Sequence, residues 1–405
     1  MLRLAALLGL WLLLLLIGLA SGWNAIWILV YAYGLLIVGS FLWAHLNVMG
    51  LELRRRHRRA RVQVGEQFVE QAILETRSGA SQWWPRLWLE LHDGSDFPGH
   101  HLDGVLSLAP LGRKVWEIRT TCTRRGRFTL GPVWVSSSDP FGIFHTSQKL
   151  TDGTTVVVYP RAVPLPRFGR LPGELPGGSL QGARVPFTTP NIASIREYRP
   201  GDAFNRIHWP TTARTNRLMV REFELDPTAD VWLVLDLNAD VHVGRGDEST
   251  EEYAVSVAAS LARHMLEQGR SVGLVSQTAS LPADRGPRQL ERILEILALV
   301  HATSHLTLPA ILSAETSRFA RASTLIVITP STHEAWARFC QALAGRGVNT
   351  TAVLVEAATF GQAPSTLLLF STLAAAHTPT YLVKCGDRLE QALSTPRLAA
   401  RGYLP

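Results

Sequence analysis

The sequence predicts a multidomain chain: an N-terminal transmembrane helical hairpin, then an all-β sandwich, then an α/β doubly wound parallel sheet. Three observations predict it. Two long apolar runs open the chain and end at a cluster of arginines, short strand-like segments fill the next hundred residues, and strand and helix patterns alternate from Asp230 onward. A length of 405 residues suits several domains, and 46% apolar against 18% charged residues excludes a disordered chain.

Leu4–Ala20 and Ala25–Leu46 are the apolar runs, 17 and 22 residues long. A helix needs about 20 residues to cross roughly 30 Å of hydrocarbon, and Ser21–Asn24 is long enough to turn between two of them. Trp23, Trp27, Tyr31 and Trp43 suit anchoring at headgroup level. Residues 1–50 are therefore expected to form two membrane helices. Residues 51–61 follow as a basic juxtamembrane segment containing Arg54-Arg55-Arg56-His57-Arg58-Arg59. Those arginines and Arg3 place both ends of the chain on the cytoplasmic side of an inner membrane. A cleaved signal peptide is the alternative for the first run, and it leaves the side of the remaining chain unchanged.

The net charge of +7 and pI near 9.7 invite a nucleic-acid partner. Residues 1–61, however, carry seven arginines against one acid, Glu52. The basicity belongs to the membrane edge, so lipid rather than nucleic acid is the expected partner. Three scattered cysteines, Cys122, Cys340 and Cys385, fit a reducing compartment.

Residues 62–160 read as a β-sandwich, with strands expected at Gln67–Thr76, Arg86–His92, Val115–Thr121, Phe128–Ser136 and Thr154–Tyr159. Pro160–Pro190 holds seven prolines and five glycines, so 161–194 reads as an extended linker. A segment at 195–228 is dense in arginine and acid beside aromatic residues. There Trp209, Tyr198 and Phe223 are expected to anchor the chain while Arg206, Arg214 and Arg221 pair with Glu197, Asp202 and Glu222; a recognition surface for a partner is the competing reading. From 229 to 405, strands at Val231–Leu237, Ser271–Ser276, Thr324–Thr329, Thr350–Val355 and Tyr381–Lys384 alternate with helices. This demands parallel pairing.

The 195–228 segment carries Arg196-Glu197-Tyr198, Pro200-Gly201-Asp202, Arg206 with Trp209, Arg214, and Arg221-Glu222. Together with Arg125–Pro132 and Asp139-Pro140-Phe141-Gly142 upstream, this arrangement resembles the bacterial family named "domain of unknown function 58". The resemblance implies a C-terminal von Willebrand factor A-like domain. It also implies a role as a membrane-anchored adaptor beside a MoxR-type AAA+ ATPase, in assembly or maturation of other proteins, with a transglutaminase-like membrane protein as a further partner.

Von Willebrand factor A domains hold a divalent cation through D-x-S-x-S after the first strand and an acid after a later one. This chain has Asp236-Leu237-Asn238-Ala239-Asp240 and then Thr329-Pro330-Ser331. Asp236, Asn238 and Asp240 still offer oxygens to Mg²⁺, but the later acid is missing. The expectation is therefore no cofactor, with a degenerate Mg²⁺ site as the alternative. The chain lacks a G-x-x-x-x-G-K-[ST] phosphate loop. His301 and His305, and the pair His100-His101, read as packed or solvated histidines. No catalytic residue is assigned; a metal-dependent ligand-binding receptor and an unrecognised enzyme are the competing functions.

Overall fold

The computed structural model describes residues 2–57, 61–77, 83–168, 192–197, 207–223, 230–321, 323–375 and 378–397. The chain divides into two compact units, Met1–Arg161 and Ala162–Pro405, apart from Leu297–Leu299, which group with the first.

In the first unit, α1 (Leu2–Ser21) and α2 (Asn24–Val48) form from uninterrupted apolar sequence without proline. They pack side by side: Trp11 Nε1 donates to Val30 O at 3.0 Å, and Gly34 makes room for the Trp11 ring. α2 is long and apolar enough to cross a membrane, and the described apolar stretch of α1, Ala5–Ser21, is shorter.

Among the described residues, ten strands follow, beginning with β1 (Leu51–His57), β2 (Arg61–Gln63), β3 (Gln67–Thr76), β4 (Arg86–Asp93) and β5 (Gly104–Leu108). The rest are β6 (Arg113–Thr121), β7 (Gly126–Leu130), β8 (Val133–Ser138), β9 (His145–Thr151) and β10 (Thr154–Tyr159). They make three sheets, ordered β1-β3-β6, β5-β4-β8-β9 and β2-β10-β7. The first two share a core of Leu51, Leu53, Ala72, Leu74, Leu89, Leu91, Val133 and Val135. Phe68, Phe97, Leu130, Val156 and Val158 fill a second cluster with the third sheet. Asn47, fully buried, ties the end of α2 to this sandwich. Its Nδ2 donates to Leu87 O at 2.9 Å and to Ser137 Oγ at 3.0 Å.

Two expectations differ from this architecture. Residues 51–57, read as a juxtamembrane segment, are strand β1, paired along its length with β3. The period-two placement of Leu51 and Leu53 brings the strand into the core. Phe128–Ser136, read as one strand, is cut by Gly131-Pro132 into β7 and β8, which belong to different sheets. Gly131 has φ +88°, and Pro132 has no N–H to give a ladder.

The second unit begins where a linker was expected. Ala162, Leu165 and Phe168 are buried, Val163 N donates to Ser260 Oγ at 3.0 Å, and the Phe168 ring lies 4.9 Å from that of Tyr381. Then β11 (Ile192–Glu197), α3 (Trp209–Thr215) and β12 (Met219–Phe223) follow, with β11 antiparallel to β12.

The α/β part runs β13 (Val231–Leu235), a short hairpin β14 (Gly244–Arg245) and β15 (Glu248–Ser249), α4 (Thr250–Glu267), β16 (Val272–Ser276) and β17 (Ser280–Asp284). It continues with α5 (Pro287–Leu299), α6 (Leu308–Ala314), β18 (Thr324–Thr329) and α7 (Glu334–Gly345). The last elements are β19 (Asn349–Val355), α8 (Leu367–Ala375), β20 (Thr380–Val383) and α9 (Leu389–Ala392). The sheet order is β17-β16-β13-β18-β19-β20, parallel except for β17 at one edge. Every residue of β13 is buried, the mark of a strand covered on both faces. Trp232 and Val234 pack with α6, α7 and α8, while α4 lies against β13, β16, β18 and β19.

Candidate functional site

A chain that leaves β13 for β16 on one side and returns to β18 on the other creates a switch point between β13 and β18. Ligands of open α/β sheets bind beyond the carboxyl ends of the strands at such a place. Asp236 stands there, one residue past β13 and 1% exposed. Its Oδ1 accepts from Gln277 Nε2 at 2.7 Å and from Asn238 N at 3.2 Å, and its Oδ2 accepts from Thr329 Oγ1 at 2.7 Å. Gln277 follows β16 and Thr329 ends β18, so one carboxylate ties together the ends of three strands.

The neighbouring groups are equally engaged. Gln277 is oriented by Leu237 N, which donates to its Oε1 at 2.6 Å. Asn238 Oδ1 accepts from Asp240 N at 3.0 Å and caps the single 3-10 turn Ala239–Val241. Asp240 turns outward, where its Oδ1 meets His305 Nδ1 at 3.0 Å; His301 pairs in the same way with Glu251. His242 Nε2–H donates to Asp236 O at 2.8 Å, and its Nδ1 faces Thr250 Oγ1 at 3.0 Å. The Thr250 hydroxyl is buried and also accepts from Val243 N and donates to Val243 O. Gln277, His242 and Thr250 carry no motif that sequence reasoning could have used.

Of the three residues expected to face a cation, Asp236 and Asn238 lie inward and Asp240 lies outward. Oδ1 of Asp236 accepts two protein donors and Oδ2 one, from Thr329. Among the described residues no cluster of three His, Cys, Asp or Glu side chains is set to hold a metal.

The arginine-rich segment is described in part. Tyr198, Pro200, Gly201, Asp202 and Arg206 lie outside the described residues, and Arg196, Arg221 and Glu222 are described by their backbone. Pairing of Arg196 with Val220 and Ile195 with Arg221 makes Ile195-Arg196-Glu197 and Val220-Arg221-Glu222 adjacent strands. Glu197 pairs with Arg217 at 3.4 Å in the open, a partner the expected pairing did not include. Trp209, expected as an anchor, is 64% exposed at the start of α3, and Arg214 is exposed in its last turn.

A second polar cluster lies inside the sandwich. Arg55 Nε donates to Glu70 Oε1 at 2.6 Å and Nη2 to Glu70 Oε2 at 2.8 Å, while Nη1 and Nη2 each reach Asp93 at 3.3 Å. His100 Nε2–H donates to Glu70 Oε2 at 2.6 Å, and His100 Nδ1 faces Thr120 Oγ1 at 2.9 Å. Burial pushes the Glu70 carboxyl up, but the hydrogen bonds and charges of Arg55 and His100 prevail and hold it at about 2. Burial likewise lowers the Arg55 guanidinium, and Glu70 and Asp93 reverse that into a raised value. One signal pointed here: Leu51, Leu53 and Arg55 alternate, so Arg55 shares the inward face of its leucine neighbours.

The uncharacterized protein YeaD of Bacillus subtilis is 33% identical over 27% of this chain, and the chain spans 26% of that relative's length. An uncharacterized Mycobacterium tuberculosis protein is 30% identical over 32% of the chain, which spans 41% of that relative. Among solved structures, the CARDB domain of a Pyrococcus furiosus protein is 16% identical, covering 27% of this chain and 94% of that one at a TM-score of 0.20. Residues 194–359 match the family model described as "Protein of unknown function DUF58", a stretch that takes in the paired signature strands and the Asp236 crest.

Proposed function

We propose that this chain is a membrane-anchored interaction protein of the cytoplasmic side of a bacterial inner membrane. In this reading α1 and α2 form a spanning hairpin, and the α/β part is a von Willebrand factor A-like domain. It presents the crest around Asp236 to a MoxR-type AAA+ ATPase, and the pair acts in assembly or maturation of other proteins. A transglutaminase-like membrane protein is the further partner. One observation carries the reading. A buried carboxylate at the switch point of the sheet joins three strand ends through Gln277 and Thr329, and beside it Asp240, His305, His301 and Glu251 offer an exposed polar rim. Such a crest is rigid underneath and polar on top, which suits recognition of a protein surface. The reading assigns the chain no chemical step. The hydroxyl beside His242, that of Thr250, is buried and used to close a turn.

The test is a pull-down of the full chain from detergent extract under ATP, ADP and nucleotide-free conditions. Recovery of a AAA+ ATPase by the wild type, lost with Asp240→Ala and His305→Ala together, is the expected result. Recovery of none in any nucleotide state sinks the proposal. A reporter fused after Pro405 is expected to be active in the cytoplasm, and activity on the periplasmic side alone overturns the placement.

The Asp236 carboxylate, with the Thr329 hydroxyl 2.7 Å from its Oδ2 at the sheet's carboxyl end, favours a second reading, a cation-dependent receptor. A calorimetric titration with Mg²⁺ and Ca²⁺ decides it; heat that disappears with Asp236→Asn supports it, and no heat in the wild type rejects it.

A further inference from the structure

Strand register fixes which end of the sandwich meets α2. β1 starts at Leu51, just past the helix and opposite Thr76 of β3, and the neighbouring Glu75 lies opposite Arg113, where β6 begins. The β5–β6 turn, 109–112, is therefore at the helix end. β4 starts at Arg86 opposite Leu108, and β8, antiparallel to β4, ends at Ser138 opposite His145. The start of β4 and the β8–β9 turn, 139–144, are thus at the same end.

This end exposes large apolar side chains. Trp83 just before β4 is 66% exposed, Trp88 at the bulge in β4 54%, Leu111 in the β5–β6 turn 57% and Phe141 in the β8–β9 turn 65%. Among the described residues, the connections at the opposite end, 94–103, 122–125 and 152–153, expose none. Single exposed apolar residues need no explanation, but a set gathered at one end marks an interaction surface. Trp88 and Leu111 hold left-handed backbone, φ +51° and +55°, where glycine costs least, so turn geometry does not call for either side chain.

The helix identifies what that surface meets. Trp84, next to Trp83, lies edge-on to Trp43, and Phe144, from the turn of Phe141, lies edge-on to Phe41, each with ring centroids 5.5 Å apart. Asn47 is bonded to Leu87 O and Ser137 Oγ, so the last turns of α2 are fastened to these same connections. Phe41 and Trp43 stand roughly 10 and 8 Å before the end of α2, inside the apolar run that closes at Leu46. In a spanning helix, residues beside them stand where hydrocarbon gives way to headgroups, the level that aromatic side chains favour. Arg77 and Arg113, exposed at the same end, suit the lipid phosphates.

We propose that the helix-facing end of the sandwich is a lipid-contact surface, with Trp83, Trp88, Leu111 and Phe141 seated in the headgroup layer of the membrane that α2 crosses. The inference rests on the spanning reading of α2. It adds that the sandwich rests on the bilayer through its own side chains.

The test uses the full chain with Cys385→Ser and one further change, Leu35→Cys, Leu111→Cys, Phe141→Cys or Asp152→Cys. Each is labelled natively with the fluorophore NBD and reconstituted in phosphatidylcholine vesicles whose lipid carries a nitroxide quencher, either near the glycerol or at mid-chain. Leu35 is exposed in the middle of α2, and the Asp152 side chain is 90% exposed on the β9–β10 turn at the far end of the sandwich. The shallow nitroxide is expected to quench the Leu111→Cys and Phe141→Cys labels about twofold or more beyond the Asp152→Cys label, because interfacial apolar groups lie about 5–10 Å into the headgroup boundary. The mid-chain nitroxide is expected to quench the Leu35→Cys label. If that label is quenched while either turn label is quenched no more than the Asp152→Cys label, the proposal falls and the spanning reading stands. A Leu35→Cys label that neither lipid quenches overturns the spanning reading, and the proposal with it.

Discussion

On β1 the side chains of Leu51, Leu53 and Arg55 share one face, so a guanidinium enters the sandwich beside two leucines. It is tolerated because Glu70, Asp93 and, through Glu70, His100 surround it. Removing one partner of a buried ionic group costs more than the group contributes, since the remaining charge stays desolvated. Arg55→Met is therefore expected to destabilise the first unit by about 3–5 kcal/mol in urea denaturation, and adding Glu70→Leu should recover part of that loss. Arg54, on the outer face, pairs with Glu52 and Glu75 in the open, and Arg54→Gln should leave the midpoint unchanged. The cysteines divide in the same way by burial. Burial pushes the Cys340 thiol up to about 12 and the Cys122 thiol to about 11, while Cys385 is half-exposed. Because the thiolate is the reactive form, maleimide at neutral pH is expected to label Cys385 in the native chain and reach Cys122 and Cys340 only after denaturation. Stoichiometric native labelling of Cys340 would show that α7 opens readily.

Elements that repeat a simple period were legible, and elements defined by a distant partner were not. Gln67–Thr76 and Thr154–Tyr159 are strands at the expected bounds, and the fully apolar Val231–Leu235 is the buried strand its composition required. β1 was hidden because six basic side chains after a long apolar helix read as a topology signal, and only pairing with β3 shows that they belong to a strand of the sandwich. β17, the antiparallel edge strand, was hidden for a different reason: Ser280-Leu281-Pro282-Ala283-Asp284 has no strand-like composition and is held by register with β16. At the candidate site the sequence named Asp236 and could not name Gln277, because a lone glutamine after a strand carries no pattern. The end of α2 belongs to the same class. Asn47 was unremarkable in sequence, yet its amide satisfies Leu87 O and its Oδ1 accepts from Leu87 N at 3.4 Å, locking helix to strand β4. Asn47→Leu strands both backbone groups, so it is expected to cost about 2–3 kcal/mol in the stability of the sandwich. A change under a few tenths would show that the helix end is not held by this residue.

At the scale of the whole molecule, the two units are held by different means, and acid should separate them. The second unit is built on an apolar cluster of Trp232, Val234, Leu325, Val327, Trp336 and Leu354. The first has the Arg55–Glu70–His100 group at its centre. The Glu70 carboxyl sits at about 2 in the folded chain against an ordinary 4.5. A carboxyl depressed by folding contributes stability that is fully present above its unfolded value and lost as pH falls through its folded one. The window is therefore pH 4.5 down to about 2, and the shift corresponds to roughly 3 kcal/mol at its upper end. Hydrogen exchange corrected for intrinsic rates should show protection in β1 and β3 falling across that window while β13 and β18 hold theirs. Glu70→Gln should flatten the dependence in β1 and β3 and lower their protection at pH 6, because Arg55 keeps its buried charge and loses its main counterion. If β13 and β18 lose protection first, or if the Gln variant keeps the wild-type acid profile, the buried ionic group is not what sets the acid stability of the first unit.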